Sequence, residues 1–534
     1  MHRSDRTFVS ILAGLCLLAA VLGVVLANGH PKLTYDSAFY LSAGENLAAG
    51  HGLTVDITNV ANPLPYEPFK RWPPLYPILI GVLAVLRVPS MFAATLVSAV
   101  AFAATLAFVG LLGRQYAGRT GGVVSAALAL LFVPYWIMAS SALSDMLFTA
   151  LAAGSVYFVS RLLADEDRPR RLLLAATGLA AAAAFTRHIG VVMALFGAVV
   201  FTAEALRRRS LRDLWRGVGY GLGTVLPLGV WTAFDPLTWG LGALRTAPGK
   251  ASFLRNLWFV KLTASRDFGV YVLHPALSVD TLAAVVRGAA LLAVLAVVAV
   301  GVVRWWRRGP GDFPGSALVP AAYALVYMVV IAALRSRANF AWLDSRLVSP
   351  AYPGMLAVIG AAAVLIGKRL AARIPRYPVA GAVAAACIVL VIPIWGSVPS
   401  VVAQQRAGAG FDEPFWRYEP GIRAISERRP DSVITNVTAP VYLQTHVPVK
   451  AMTSGTATFT LGILEECSHL REDRFLVHIF NPDDPRTSNE FDVPGLIASP
   501  SFRVLMHTPG ALLLEPVAWP PARAAGVTLR STIR

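Results

Sequence analysis

Apolar runs of about twenty residues recur along this chain, each closed by a short polar segment, a pattern that predicts a bundle of membrane-spanning helices. The expected spans lie near 8–28, 91–112, 121–139, 144–163, 172–186, 189–206, 217–234, 281–303, 317–334, 347–366 and 377–398, about eleven in all. The stretch from Leu75 to Leu86 is apolar for only about a dozen residues, too few to cross a bilayer, and is expected as an interfacial or re-entrant helix. Beyond Pro399 the composition turns toward Pro, Asp, Glu, Arg and Asn. Short runs such as Ser432–Val437 and Phe475–Phe480 there read as strands between turns. The expected organisation is a membrane domain over 1–399, whose first outer loop is 29–90, followed by a small α/β domain over 400–534.

Composition supports this division. Of 534 residues, 56% are hydrophobic and only 14% charged, which excludes a soluble multidomain protein. The net charge of +17 raises the question of nucleic acid, but the Lys and Arg residues fall in short clusters between apolar runs. They read as orientation signals, and no nucleic-acid partner is expected. If Leu75–Leu86 does not cross, the clusters at Arg114 and Arg119, Arg168–Arg171, Arg207–Arg216, Arg304–Arg308 and Lys368–Arg376 all fall on the cytoplasmic side. The N-terminus is then cytoplasmic, and the odd number of spans puts the tail outside a bacterial inner membrane. Phe8–Ala27, following Arg3 and Arg6, has features of a signal peptide with Val25-Leu26-Ala27 as a cleavage site, yet its length and the spans after it favour an uncleaved first helix. Cys16, Cys387 and Cys467 offer neither metal-ligand spacing nor a disulfide framework.

On this topology the outward-facing polar residues form a short set drawn from distant parts of the chain. They are Asp36, Asp56, Glu67, Lys70 and Arg71; Asp145; Arg187 and His188; the loop Asp235–Asp280; and Arg335–Arg346. A single cleft could gather them. Asp36 opens an expected short helix, with Tyr40 four residues on along the same face. Such a carboxylate can serve as a general base or simply cap the helix. Lys70 and Arg71, just before Pro73-Pro74, can grip a phosphate or anchor to lipid head groups. Arg255 and Lys261 belong to an outer loop that is basic against the positive-inside trend, which points to an anionic ligand, although long translocated loops tolerate charge. Asp145 at the edge of a span is a functional candidate or a cap, and Arg187-His188 sits at a tight turn between two apolar runs.

The motif Tyr35–Tyr40, the run Arg71–Pro77, Asp145, Arg187 and the run Arg346–Pro353 resemble, in their order, the GT-C glycosyltransferases, in particular the PMT-like or ArnT-like group of protein O-mannosyltransferases and aminoarabinose transferases. The resemblance covers roughly 8–398, and an outer α/β tail is common in that group. It implies an enzyme that moves a sugar from a polyprenyl-phosphate carrier to a lipid, glycan or protein acceptor on the outer face, inverting the anomeric carbon. Asp36 would be the base and Lys70 or Arg71 the cation beside the donor phosphate, with Arg187 and Arg346 adding charge in the cleft. The protein O-mannosyltransferases carry two adjacent acids in the first loop; here Ser37 follows Asp36. That departure weakens protein O-mannosylation and makes Asp145 the expected partner acid. Some GT-C enzymes use a divalent metal, and without an acidic pair none is specifically expected here. A transporter or lipid flippase is the alternative, although no inverted repeat or matched broken helices are visible. A scaffold with the fold but no activity is a third.

Overall fold

The computed structural model describes residues 3–27, 30–59, 66–70, 72–165, 167, 169–233, 252–268, 318–337, 345–373, 410–452, 475–484, 487, 493–499 and 501–517. Two compact units divide the chain: Met1–Lys32 with Lys70–Ala407, and Leu33–Phe69 with Gly408–Arg534.

The first unit is helical. Its elements are α1 (Arg3–Ala27), α3 (Leu75–Val85), α4 (Ser90–Leu130), α5 (Val133–Ala139), α6 (Asp145–Ala164), α7 (Arg170–Ala184), α8 (Val192–Arg208), α9 (Leu211–Ala233), α10 (Phe253–Phe268), α11 (Val319–Arg337), the one-turn α12 (Ser345–Val348) and α13 (Tyr352–Arg373). Six helices among the described residues are long and apolar enough to cross a membrane, and α3 is a shorter apolar helix of 11 residues. Each expected span that falls on described residues meets a helix; those at 281–303 and 377–398 lie outside them. One expected span, 121–139, is interrupted: Leu131 and Phe132 leave the helix, and Pro134 lies in the first turn of α5, where its missing N–H costs nothing.

The continuous run α4 is in fact two helices folded back on each other at Ala117 and Gly118, where Gly118 takes φ +71°. The antiparallel halves meet through glycine. A Cβ on Gly113 would lie 2.7 Å from the Gly121 carbonyl oxygen, and one on Gly122 would lie 2.7 Å from that of Gly110. Small residues at such a seam let backbones approach where lipid offers no hydrophobic drive for association. At the turn, Arg114 and Arg119 donate to Asp5 at 2.9 and 3.1 Å, so the start of α1 and this basic turn share one end of the bundle. The far end of α1 returns to the other: Lys32 N–H donates to the Ser140 carbonyl at 3.0 Å, and Ala142 N–H to that of Lys32.

The second unit is an α/β layer. Its sheet runs β2 (Ile57–Asn59), β5 (Val449–Ala451), β4 (Ser432–Thr435), β6 (Phe475–Phe480), β8 (Ala511–Pro516) and β7 (Phe502–His507), in that spatial order. The pairings from β2 to β6 are parallel, and the rest antiparallel. Ile434, Val477, Ile479, Leu512 and Leu514 fill one face. A two-stranded pair, β1 (Thr54–Val55) with β3 (Glu67–Pro68), stands beside it. The helices are α2 (Tyr35–Ala48), α14 (Pro414–Arg417), α15 (Pro420–Arg428), α16 (Thr438–Thr445) and α17 (Val493–Ala498).

The expected division kept all of 29–90 with the membrane domain; the compact units are drawn differently. Leu33–Phe69 is one compact body with the tail, because Ile57 pairs with Val449 and adds a strand to the tail's sheet. The Tyr442 hydroxyl on α16 also donates to Glu45 on α2 at 2.6 Å. A three-residue strand with no alternation of its own carries no readable signal before its partner is known.

Candidate active site

In the α/β unit, α2 positions Asp36. Thr34 is extended (φ −132°) and occupies the cap; its N–H donates to Ser37 Oγ at 3.0 Å, and the two hydroxyls stand 3.3 Å apart. The cap is thereby supplied by Thr34 and Ser37, which leaves Asp36 in the first turn without capping duty. Asp36 is half-buried, and among the described residues no hydrogen bond or ion pair holds its carboxylate. Tyr40, expected beside it, is 1% exposed and packs with its ring 6.2 Å from that of Phe69. Further along, burial pushes the Asp56 carboxyl up and the charge of Glu45 adds to this, against hydrogen bonds from Asn46 and Ser42.

In the membrane unit a second group forms around Asp145, the first residue of α6, which is 2% exposed. Arg187 makes an ion pair with Asp145 Oδ1, and Arg346 Nη1 stands 4.0 Å from Oδ2. Oδ2 is buried and accepts no hydrogen bond from the described residues. Local backbone explains Arg187: it is extended (φ −146°) between α7 and a 3-10 turn, His188–Val191, so the chain leaves the helix there. Gly190 permits that turn, since a Cβ would come within 2.5 Å of the Ala184 backbone. Leu75 N–H donates to the Phe185 carbonyl at 3.0 Å and brings the start of α3 to the same place. These residues lie at the bundle end where Lys32 meets Ser140, opposite Asp5, Arg114 and Arg119.

The other expected site residues are distributed as follows. Lys70 and His188 are half-buried, and Arg71 lies outside the described residues. Arg255 and Lys261 are on α10, and their recorded contacts are with rings of their own helix: Arg255 5.8 Å from Phe259, and Lys261 Nζ 3.8 Å from Trp258. The structure brings Asp145, Arg187 and Arg346 together and adds residues the sequence did not single out. Asp267, wholly buried on α10, accepts hydrogen bonds from Ser345 Oγ at 2.6 Å and the Tyr352 hydroxyl at 2.7 Å. A signal existed, because Asn256, Val260, Ala264 and Asp267 follow one helical face. Among the described residues no group of three His, Cys, Asp or Glu side chains could hold a metal ion.

Residues 71–231 match the family model of dolichyl-phosphate-mannose-protein mannosyltransferase. No curated protein sequence matches the chain. Among solved structures, ArnT from Cupriavidus metallidurans bound to undecaprenyl phosphate is similar with a TM-score of 0.62 and 15% identity, over 96% of this chain and 98% of that one. The same protein in its apo state gives 0.63 and 13%, with the same coverage. The archaeal oligosaccharyltransferase AglB from Archaeoglobus fulgidus, in complex with an inhibitory peptide and a dolichol-phosphate, gives 0.50 and 13%, over 90% and 70%. The chain thus matches a mannosyltransferase family model from α3 to α9 and shares its fold with these membrane-protein structures along nearly its whole length.

Proposed function

We propose that the protein transfers a sugar from a polyprenyl-phosphate carrier to a lipid, glycan or protein acceptor on the outer face of a bacterial inner membrane, with inversion at the anomeric carbon. The observation that carries this reading is the group of buried Asp145 with half-buried Arg187 and Arg346 at one end of an apolar bundle. Two guanidiniums from distant parts of the chain converge where water is scarce, and guanidinium is the side chain best matched to phosphate oxygens. The similar structures hold undecaprenyl phosphate and dolichol-phosphate.

In the step itself the acceptor O–H gives its proton to the Asp36 carboxylate. The acceptor oxygen bonds to the anomeric carbon from the face opposite the phosphate. The anomeric C–O bond to phosphate breaks, and the carrier phosphate leaves with the electron pair. Arg187 and Arg346, with Lys70 and Arg71, stabilise the charge that develops on that phosphate; preorganised cations in a low-dielectric site act more strongly than in water. Asp145 holds Arg187 in position and is thus not a second base. His188, Arg255 and Lys261 line the approach of the anionic donor, and Tyr40 supports the α2 turn that presents Asp36.

The test uses purified full-length protein in lipid with polyprenyl-phosphate sugars. Asp36→Asn keeps size but cannot take the proton, so turnover should fall by roughly 10² to 10⁴ with carrier binding intact. Near-normal transfer by this variant would remove Asp36 from the role of base.

A further inference from the structure

Arg346 lies in α12, the opening turn of a helical stretch that runs on through the 3-10 turn Ser349–Ala351 into α13. Contacts from α11, α5 and α10 hold the segment around it. The Tyr327 hydroxyl of α11 donates to the Leu347 carbonyl at 2.9 Å. Ser349 Oγ stands 3.1 Å from the Arg346 carbonyl and 3.0 Å from Met138 Sδ of α5. Asp267 of α10 takes Ser345 Oγ on one carboxylate oxygen and the Tyr352 hydroxyl on the other. Those two donors lie on either side of Arg346 in the chain. The Tyr352 ring is seated edge-on against Phe132, with centroids 5.4 Å apart, so that end of the clip is rigid.

We infer that Asp267 is a positioning residue: by clipping Ser345 and Tyr352 it sets the place of Arg346 beside Asp145, and α10 thereby controls the anion-binding geometry of the membrane unit. The chemistry fits that role. A buried carboxylate is costly unless hydrogen-bonded, and both of its oxygens are engaged by hydroxyls at charge-assisted distances. Its placement on α10, the segment between α9 and α11, also explains why that helix turns Asn256, Val260 and Ala264 inward with it. The inference rests on the phosphate-binding reading of Arg346, so its test must fail separately from that reading.

The probe is undecaprenyl phosphate, titrated against the detergent-solubilised full chain. Asp267→Ala should weaken binding roughly 10-fold or more, as small displacements of a binding group do. Asp267→Asn, which can still accept from one hydroxyl and donate to the other, should recover most of the loss. Tyr352→Phe, which keeps the ring, should fall between them. In an Arg346→Ala background, Asp267→Ala should change affinity little further. Equal losses in both backgrounds, or none in the wild-type background, would overturn the inference. If the unsubstituted protein does not bind the probe, the phosphate reading fails, and thermal unfolding decides the clip. Losses of Tm for Asp267→Ala and Asp145→Asn that are less than additive support it, and additive losses overturn it.

Discussion

Asp36 and Asp145 are both outer-edge acids in the sequence, and the fold separates their chemistry. Asp36 follows a threonine that already caps its helix, so its carboxylate is spared. Asp145 is almost wholly buried and is spent on arginine. Removing one partner of a buried pair leaves the other charge uncompensated, at a cost on the order of 3–5 kcal/mol. Asp145→Asn should therefore lower the melting temperature of the purified protein and weaken carrier binding together, whereas Asp36→Asn should leave both unchanged. Thermal unfolding of the two variants side by side checks this, and a stable Asp145→Asn protein would show that the pair contributes little. The sequence marked both acids and could not rank them, because the ranking depends on Arg187 and Arg346, 42 and 201 positions away from Asp145.

At the scale of elements, the hairpin inside α4 shows how a membrane bundle is closed without large core side chains. A Cβ at Gly113 would meet Ser125 Oγ as well as the Gly121 carbonyl, and the backbone contact cannot move aside like a flexible chain end. Gly113→Val should splay the two halves and destabilise the protein by roughly 1–3 kcal/mol, the usual cost of overpacking. Gly178→Ala in α7, where a Cβ meets nothing within 4 Å, should stabilise by up to about 1 kcal/mol through helix propensity alone. Comparison of the two variants by thermal melting in detergent separates packing at the seam from helix propensity. The alternation of apolar runs and basic clusters made this turn legible, with Arg114 and Arg119 between two spans. The break at Leu131–Phe132 was not legible, since the residues on both sides are equally apolar.

At the scale of the whole molecule, the first loop belongs to the same compact unit as the tail, and titratable groups record this. The hydrogen bond to Glu45 on α2 holds the His446 imidazole, which follows α16, above its ordinary value. A histidine raised in the folded state contributes stability that is full below about pH 6.5 and is lost as pH rises through the folded value. The melting temperature should thus decline between mildly acidic and mildly alkaline pH, and His446→Ala should flatten that decline. An unchanged pH profile would remove this contact from the stability of the unit. Glu419 works in the opposite sense. Burial pushes its carboxyl up, but the His478 side chain and the Ile422 and Gly421 N–H groups outweigh burial and hold it low. Its contribution is present above the usual glutamate value and disappears in acid.

The sequence by itself determined that this is a membrane protein, where most of its helices run, that α3 is too short to cross, and which charges are candidates for chemistry. These properties are local: hydrophobic length and the placement of basic clusters follow from how each segment meets the bilayer. Only the tertiary structure decided that Ile57–Asn59 complete the tail's sheet, that Asp145 is bound to Arg187, and that Asp267 clips the turn bearing Arg346. Each of these joins residues far apart in the chain. A buried carboxylate takes its role from the donors that surround it, and which donors those are is settled by how the helices pack.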